Sequence, residues 1–239
     1  MPDRKPLLER EDALEVLHES LTLAEAGRGS LVMVEGAAGV GKTSLLDEIG
    51  AAAAARRFTI LTGRGKERER EVPLVMVEGL FRTFLRGLDE AERSTLLVGS
   101  AALAASFLDQ VSEAPPDSVS LFEGLFWLTA NLSERAPVAI LIDDGRWVDA
   151  ASMRFLSYLA ARLEDLSVAV VVATRTYEPE LMASVNELRQ QPGCRRLQIG
   201  ALSADASEGL VRAVFPQASE RFCAACFEAT GGNPFYLSA

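Results

Sequence analysis

A chain of 239 residues is long enough for one large α/β domain, or for a core domain with a small appendage. Its 49% hydrophobic and 24% charged residues are ordinary for a globular protein and exclude disorder as the default. The balance is acidic, 24 Lys+Arg against 34 Asp+Glu for a net −10, which speaks against direct nucleic-acid binding by this stretch, because such binding needs concentrated positive charge. The N-terminal MPDRKPLLERED has no apolar segment behind it and is not a signal peptide. The longest strand-like apolar run, Val168–Ala173, is far too short to cross a bilayer. Three cysteines (Cys194, Cys223, Cys226) without framework spacing fit a reducing cytoplasm.

In chain order, Leu14, Leu17, Leu21 and Ala24 recur at helical spacing and stop at Gly27 and Gly29. SLVMVEG reads as a buried strand, KTSLLDEIGAAAAARR as an alanine-favoured helix, and FTILTG as a second strand. Helical segments run from about Leu74 to Leu108, SEAPPDS (Ser112–Ser118) is a break, and Leu121, Leu125, Leu128 and Leu132 form one face of a further helix. Strands follow at Val138–Ile142, Val168–Ala173 and Arg195–Ile199, with a helix from Ala150 between the first two. Two closing helices span about Ala204–Val214 and Ser219–Thr230. Strands separated by helices predict an α/β fold, with a five-stranded parallel sheet between two helical layers. A boundary near Gly200–Ser203 divides a 1–200 core from the start of a helical region, 201–239. The last stretch, TGGNPFYLSA, opens a helix and stops, so the chain reads as cut short after Ala239.

Gly36-Ala-Ala-Gly39-Val-Gly41-Lys42-Thr43 matches G-x-x-x-x-G-K-[ST] and lies between a predicted strand and a predicted helix, the context that motif requires. Its glycines let successive N–H groups curl toward phosphate oxygens, and the helix N-terminus adds its positive dipole end. The predicted nucleotide-binding set is Gly36, Ala37, Ala38, Gly39, Val40, Gly41, Lys42, Thr43 and Ser44. Lys42 would reach the β- and γ-phosphates, and the Thr43 hydroxyl would bind Mg²⁺.

Val138–Ile142 ends in two carboxylates. Asp143 is assigned to the Mg²⁺ shell, and Asp144 to orienting or deprotonating an attacking water. The blander alternative is that the pair caps the following helix, although Asp149, just before Ala150, fits that role better. Arg175 ends the next strand, where ligands bind in open α/β sheets, and would sense a γ-phosphate; otherwise it is a surface arginine.

These pieces resemble the AAA-like ATPase domain of large LuxR-type (MalT-like) bacterial regulators, a branch of the STAND signal-transduction ATPases. The resemblance rests on LLEREDALEVL, EGAAGVGKTSLLDE, GKERERE with VEGLF, DEAERSTLLVGSAALA, LIDDGRWVDAASMRFL, VVVATR and FCAACFEATGGNPF, and covers nearly the whole chain. It implies an ATP/ADP switch with Mg²⁺, slow hydrolysis, an N-terminal motif in which Arg10 lines the adenine pocket, and a helical lid whose Pro234, in Gly232-Asn233-Pro234, reaches the adenine. It also implies sensor and DNA-binding regions outside this chain, and self-association of the longer protein. Two rival functions stay open: a nucleotide-stabilised interaction module without chemistry, and a continuously turning-over ATPase or phosphotransferase.

The chain departs from the family at Gly145-Arg146, where Ala-Gln is usual. Arg146 would either favour ionised carboxylates or pair with Asp144 and withdraw it from chemistry. Among weaker signals, GKERERE is nearly neutral and reads as a solvated loop. Cys223 and Cys226 lack partners for a zinc site and read as helix packing. His18 falls on the polar side of the first helix, and Phe122, Phe126 and Trp127 read as core.

Overall fold

Apolar runs bounded by glycine or charge become the strands of one sheet. The computed structural model describes residues 7–109, 118–176 and 183–238, so the predicted break at 112–117 lies outside the described residues. Within them, β1 (Ser30–Gly36), β2 (Thr59–Arg64), β3 (Val138–Asp143), β4 (Val168–Arg175) and β5 (Cys194–Ile199) pair in the order β2-β3-β4-β1-β5. Every pairing is parallel, which requires the crossover segments that the sequence places between the strands.

Side-chain alternation sorts each strand between two cores. Leu31, Met33, Val138, Ile140, Ile142, Val168, Val170 and Val172 face one layer, which holds α3 (Val75–Leu85), α4 (Glu90–Leu96), α5 (Ala105–Leu108), α6 (Ser118–Arg135), α7 (Ala150–Ala160) and α8 (Ala183–Arg189). Val32, Val34, Ala139, Leu141, Ala169, Val171 and Ala173 face the other, with α1 (Glu11–Glu25) and α2 (Lys42–Ala55). The result is the expected three-layer α/β/α arrangement. Among the described residues no helix is long and apolar enough to cross a membrane.

Two details differ from the sequence reading. Trp127 is 44% exposed rather than core, because it lies off the stripe formed by the buried Leu121, Leu125, Leu128 and Leu132; Phe122 and Phe126 pack partly buried against the core. The helix α8 was not expected, since only Val185 and Leu188 of its seven residues are buried and no periodicity emerges.

After β5 the chain continues as α9 (Ala204–Val214), α10 (Glu220–Thr230) and α11 (Pro234–Leu237). They are tied back by the Leu202 N–H, which donates to Gly232 O at 2.8 Å. Gly232 has φ +72°, and a Cβ there would sit 2.2 Å from Leu202 O, so only glycine lets the two segments approach.

Candidate functional site

Strand register builds the site. Gly36 at the end of β1 is level with Arg175 on β4, and Arg64 at the end of β2 is level with Asp143 on β3. β1 has β4 on one side and β5 on the other, so the loop after Gly36 leaves the sheet where the strand order changes direction. The turn into α2 needs Gly41 at φ +99°, a conformation that side chains rarely adopt. Lys42 Nζ donates to the loop's own carbonyls, Gly36 O at 2.9 Å and Ala37 O at 2.7 Å. Burial, then the nearby Arg175, pushes its pKa below the ordinary lysine value. Alternation places Asp143 on the α2 face of the sheet, where its Oδ2 accepts from Thr43 Oγ1 at 2.9 Å. A cleft of about 590 Å³ opens here, lined by Ala38, Gly39, Gly41, Lys42, Thr43, Ser44, Asp143, Asp144, Arg175 and Pro234, with Arg64 on its rim.

The two carboxylates are held differently. Asp144 sits in the left-handed region, φ 51° and ψ 44°, a turn uncommon for a non-glycine residue, and its N–H donates to Asp143 Oδ1 at 2.9 Å. Its Oδ2 accepts from Arg64 Nε at 2.9 Å and Nη2 at 2.8 Å. Those hydrogen bonds raise the Arg64 pKa, although the guanidinium is 64% exposed and its ion pair is screened accordingly. The pairing of Arg146 with Asp144 is therefore corrected: Arg146 stacks 4.3 Å over the Trp147 ring, and Arg64, brought level by register, takes the carboxylate. Asp149 is the cap of α7 and more. Fully buried, it accepts from Ser152 N at 2.8 Å, Ser152 Oγ at 2.6 Å and Leu74 N at 2.7 Å, pinning the start of α3.

A second cavity, of about 310 Å³, adjoins the first and shares Gly41, Ser44, Pro234 and Ser238 with it. The larger part of its wall is apolar, from Leu7, Leu8, Val40, Leu202, Leu210 and Pro234, and Ser44, Asp47, Glu48 and Ser238 add polar groups. Arg10 borders it but is buried and spends its guanidinium on carbonyls: Glu9 O at 2.8 Å, Val40 O at 3.0 Å and Gly200 O at 2.7 Å. Burial lowers its pKa. The Glu9 carboxylate accepts from Ser203 Oγ and, at 2.8 Å, from Ser203 N, which holds its pKa below the usual range.

Gly36 and Ala37 thus meet Lys42, and Val40 and Arg10 the second cavity, while the other predicted residues line the larger cleft. Sequence reasoning missed Arg64 and Asn233. The first needs strand register; the second donates from Nδ2 to Ala38 O at 2.8 Å across 195 positions, which no local pattern encodes.

The residues present fit a nucleotide and Mg²⁺. The glycine loop offers a concavity at a helix N-terminus, the second cavity is of modest size with the larger part of its wall apolar, and Thr43 and Asp143 present two hard oxygens side by side. Among the described residues no cluster of three or more His, Cys, Asp or Glu could hold a metal by itself. Mg²⁺ here would rely on phosphate oxygens and water as well, as it does in phosphoryl-transfer sites.

A family model described as AAA ATPase domain matches residues 6–172. An uncharacterised protein of Rhizobium meliloti (strain 1021) is 24% identical over 97% of this chain, which spans 24% of that relative's length. Among solved structures, the Aeropyrum pernix ORC2 protein in ADPNP-ADP complexes aligns with TM-score 0.61 and 16% identity, over 98% of this chain and 60% of that one. AMPPCP-bound DnaA from Aquifex aeolicus gives 0.58 and 14%, over 97% and 60%. A Pyrococcus horikoshii STAND protein with a tetratricopeptide-repeat sensor gives 0.50 and 17%, over 91% and 28%. At these identities the structural likeness establishes the fold, that of the P-loop ATPases.

Proposed function

The chain belongs to the AAA ATPase domain family, and from that premise we propose that it binds ATP with Mg²⁺ as the nucleotide switch of a larger bacterial signalling protein. The carrying observation is the 2.9 Å contact between Thr43 Oγ1 and Asp143 Oδ2 at the mouth of a glycine loop, beside a largely apolar cavity fit for a base. Lys42 would leave its loop carbonyls for the β- and γ-phosphates, and Arg175 would meet the terminal phosphate. Pro234 and the leucines around Arg10 would enclose the adenine. Bound Mg²⁺ would neutralise charge on the phosphate oxygens during transfer.

Slow hydrolysis fits the position of Asp144. It stands at the cleft and can orient a water, yet its carboxylate is engaged by Arg64. The motif stretches LIDDGRWVDAASMRFL and TGGNPF support the finer assignment to LuxR-type STAND regulators, as does likeness to a STAND protein. In that reading α9–α11 begin a helical lid, self-association follows the nucleotide state, and the whole works in the cytoplasm. Transcriptional output would come from a DNA-binding region elsewhere in the longer polypeptide, since this stretch is net acidic.

The Arg64–Asp144 pair also favours a second reading, a nucleotide-stabilised interaction module without chemistry. Single-turnover ATP cleavage by wild type and Asp144→Asn separates them. A slow wild-type rate that the variant loses supports the switch, and equal, negligible rates support the module. Steady-state turnover above about 1 s⁻¹ would sink both in favour of an ordinary ATPase.

A further inference from the structure

We infer that Asn233 is a positioning residue for phosphate binding, acting through the loop rather than on the ligand; this rests on the nucleotide reading above. Two successive loop carbonyls are gripped from the start of α11. Ala38 O accepts from Asn233 Nδ2 at 2.8 Å, and Gly39 O accepts from the Phe235 N–H at 3.2 Å. There are no cis peptides among the described residues, so each carbonyl points opposite to the N–H of its own peptide unit. Fixing the oxygens of Ala38 and Gly39 therefore fixes the N–H groups of Gly39 and Val40, and turns them away from α11. Among the described residues neither N–H has an acceptor. They are left as oriented donors at the head of the loop, which is what an anion cradle needs.

The contact is close as well as polar. A Cβ on Gly39, at φ +80°, would lie 2.6 Å from Asn233 Oδ1 and 2.8 Å from Phe235 Cβ, so loop and helix start interlock. One side chain does two jobs here. Asn233 Oδ1 accepts from the Phe235 N–H at 3.1 Å and caps α11, while Nδ2 holds the loop. Only an amide has both an acceptor and a donor at that reach; serine or aspartate would still cap but could not hold Ala38 O. Asn233 thereby makes the loop's phosphate-binding shape depend on where α11 sits, while most of the apolar wall of the base cavity comes from Leu7, Leu8, Val40, Leu202 and Leu210, and only Pro234 and Ser238 come from this segment.

The test is binding of ADP and of adenosine to the whole chain, by calorimetry with competition for the weaker ligand, alongside thermal unfolding. Asn233→Ser should weaken ADP about five- to tenfold, the worth of one net hydrogen bond, and leave adenosine and the unfolding midpoint near wild type. Asn233→Asp, equally unable to donate, should lose at least as much ADP affinity because its charge also repels phosphate. Equal losses for ADP and adenosine, or no loss for ADP, would overturn the assignment. A wild-type chain that binds no ADP would instead remove the nucleotide reading on which it stands.

Discussion

The two halves of the cleft are made in different ways. On the phosphate side, Gly36, Arg64, Asp143 and Arg175 are strand ends, placed by the register of one sheet whose cores lie directly beneath them. On the base side, the walls come from the N-terminal segment, from the loop and α2, and from the chain after β5, with Arg10 joined to Gly200 across 190 positions. The strand-end groups of the first half need only the sheet to form, and the loop between them is further held from α11 by Asn233. The second exists only while segments from both ends of the described chain stay docked on the loop. A domain built this way can keep the strand-end groups of its phosphate site in place and regulate the loop and access to it through contacts that are few and polar. That asymmetry suits a switch better than a constantly cycling enzyme.

The largest expected effect separates ligand binding from stability on the phosphate side. Lys42→Ala should abolish measurable ATP and ADP binding in a fluorescence titration while the unfolding transition stays put. In the free protein Lys42 bonds only loop carbonyls, so no core packing depends on it. Undiminished nucleotide binding would contradict the whole phosphate-side assignment. Asp149→Ala should do the reverse. It removes a buried acceptor of hydrogen bonds from Leu74 N, Ser152 N and Ser152 Oγ, stranding polar groups between α3 and α7. The cost should be about 2–4 kcal/mol in denaturant unfolding, with ADP affinity unchanged well below the transition. If Asp149→Ala instead lost nucleotide binding while keeping its stability, the residue would belong to the site rather than to its foundation.

This division also explains what the sequence made legible. The glycine loop and the Asp143-Asp144 pair are contiguous, and each motif carries its own physical reason for its spacing. The three central strands β1, β3 and β4 were visible because a doubly buried parallel strand is a short apolar run with little else in it, whereas β2 and β5 are edge strands with exposed positions. Arg64 was hidden: nothing in LTGRGK says that β2 will lie beside β3 with its last residue level with Asp143. Arg146 drew attention for being adjacent to Asp144, yet adjacency matters less than direction, and the left-handed turn at Asp144 is followed by Arg146 stacked over Trp147. Asn233 is legible only as part of the Gly232-Asn233-Pro234 motif, because its partner Ala38 lies 195 positions away in the chain. Trp127 is exposed because it lies off the Leu121–Leu132 stripe of α6, whatever its size.

The smallest expected effect concerns the base side and depends on pH. Ser203 holds Glu9 with its side-chain hydroxyl and its N–H, and these hydrogen bonds depress the Glu9 pKa below the ordinary carboxylate value. A carboxylate whose folded pKa is depressed contributes stability above its unfolded pKa, and loses it as the pH falls through the folded one. Glu9→Gln should therefore lower the unfolding midpoint slightly at neutral pH, and the difference from wild type should close once the pH drops below the normal carboxylate range. The effect is small because Glu9 is exposed. Its value is in its location: Ser203 is the N-cap of α9, so weakening this contact loosens the connection between β5 and the C-terminal helices without touching either cavity wall. ADP release in stopped flow should then quicken at neutral pH, and the acceleration over wild type should fade in acid alongside the stability difference. An acceleration that persisted unchanged in acid would mean that the ionised carboxylate is not what holds this connection, and that the base side is closed by its cavity walls alone.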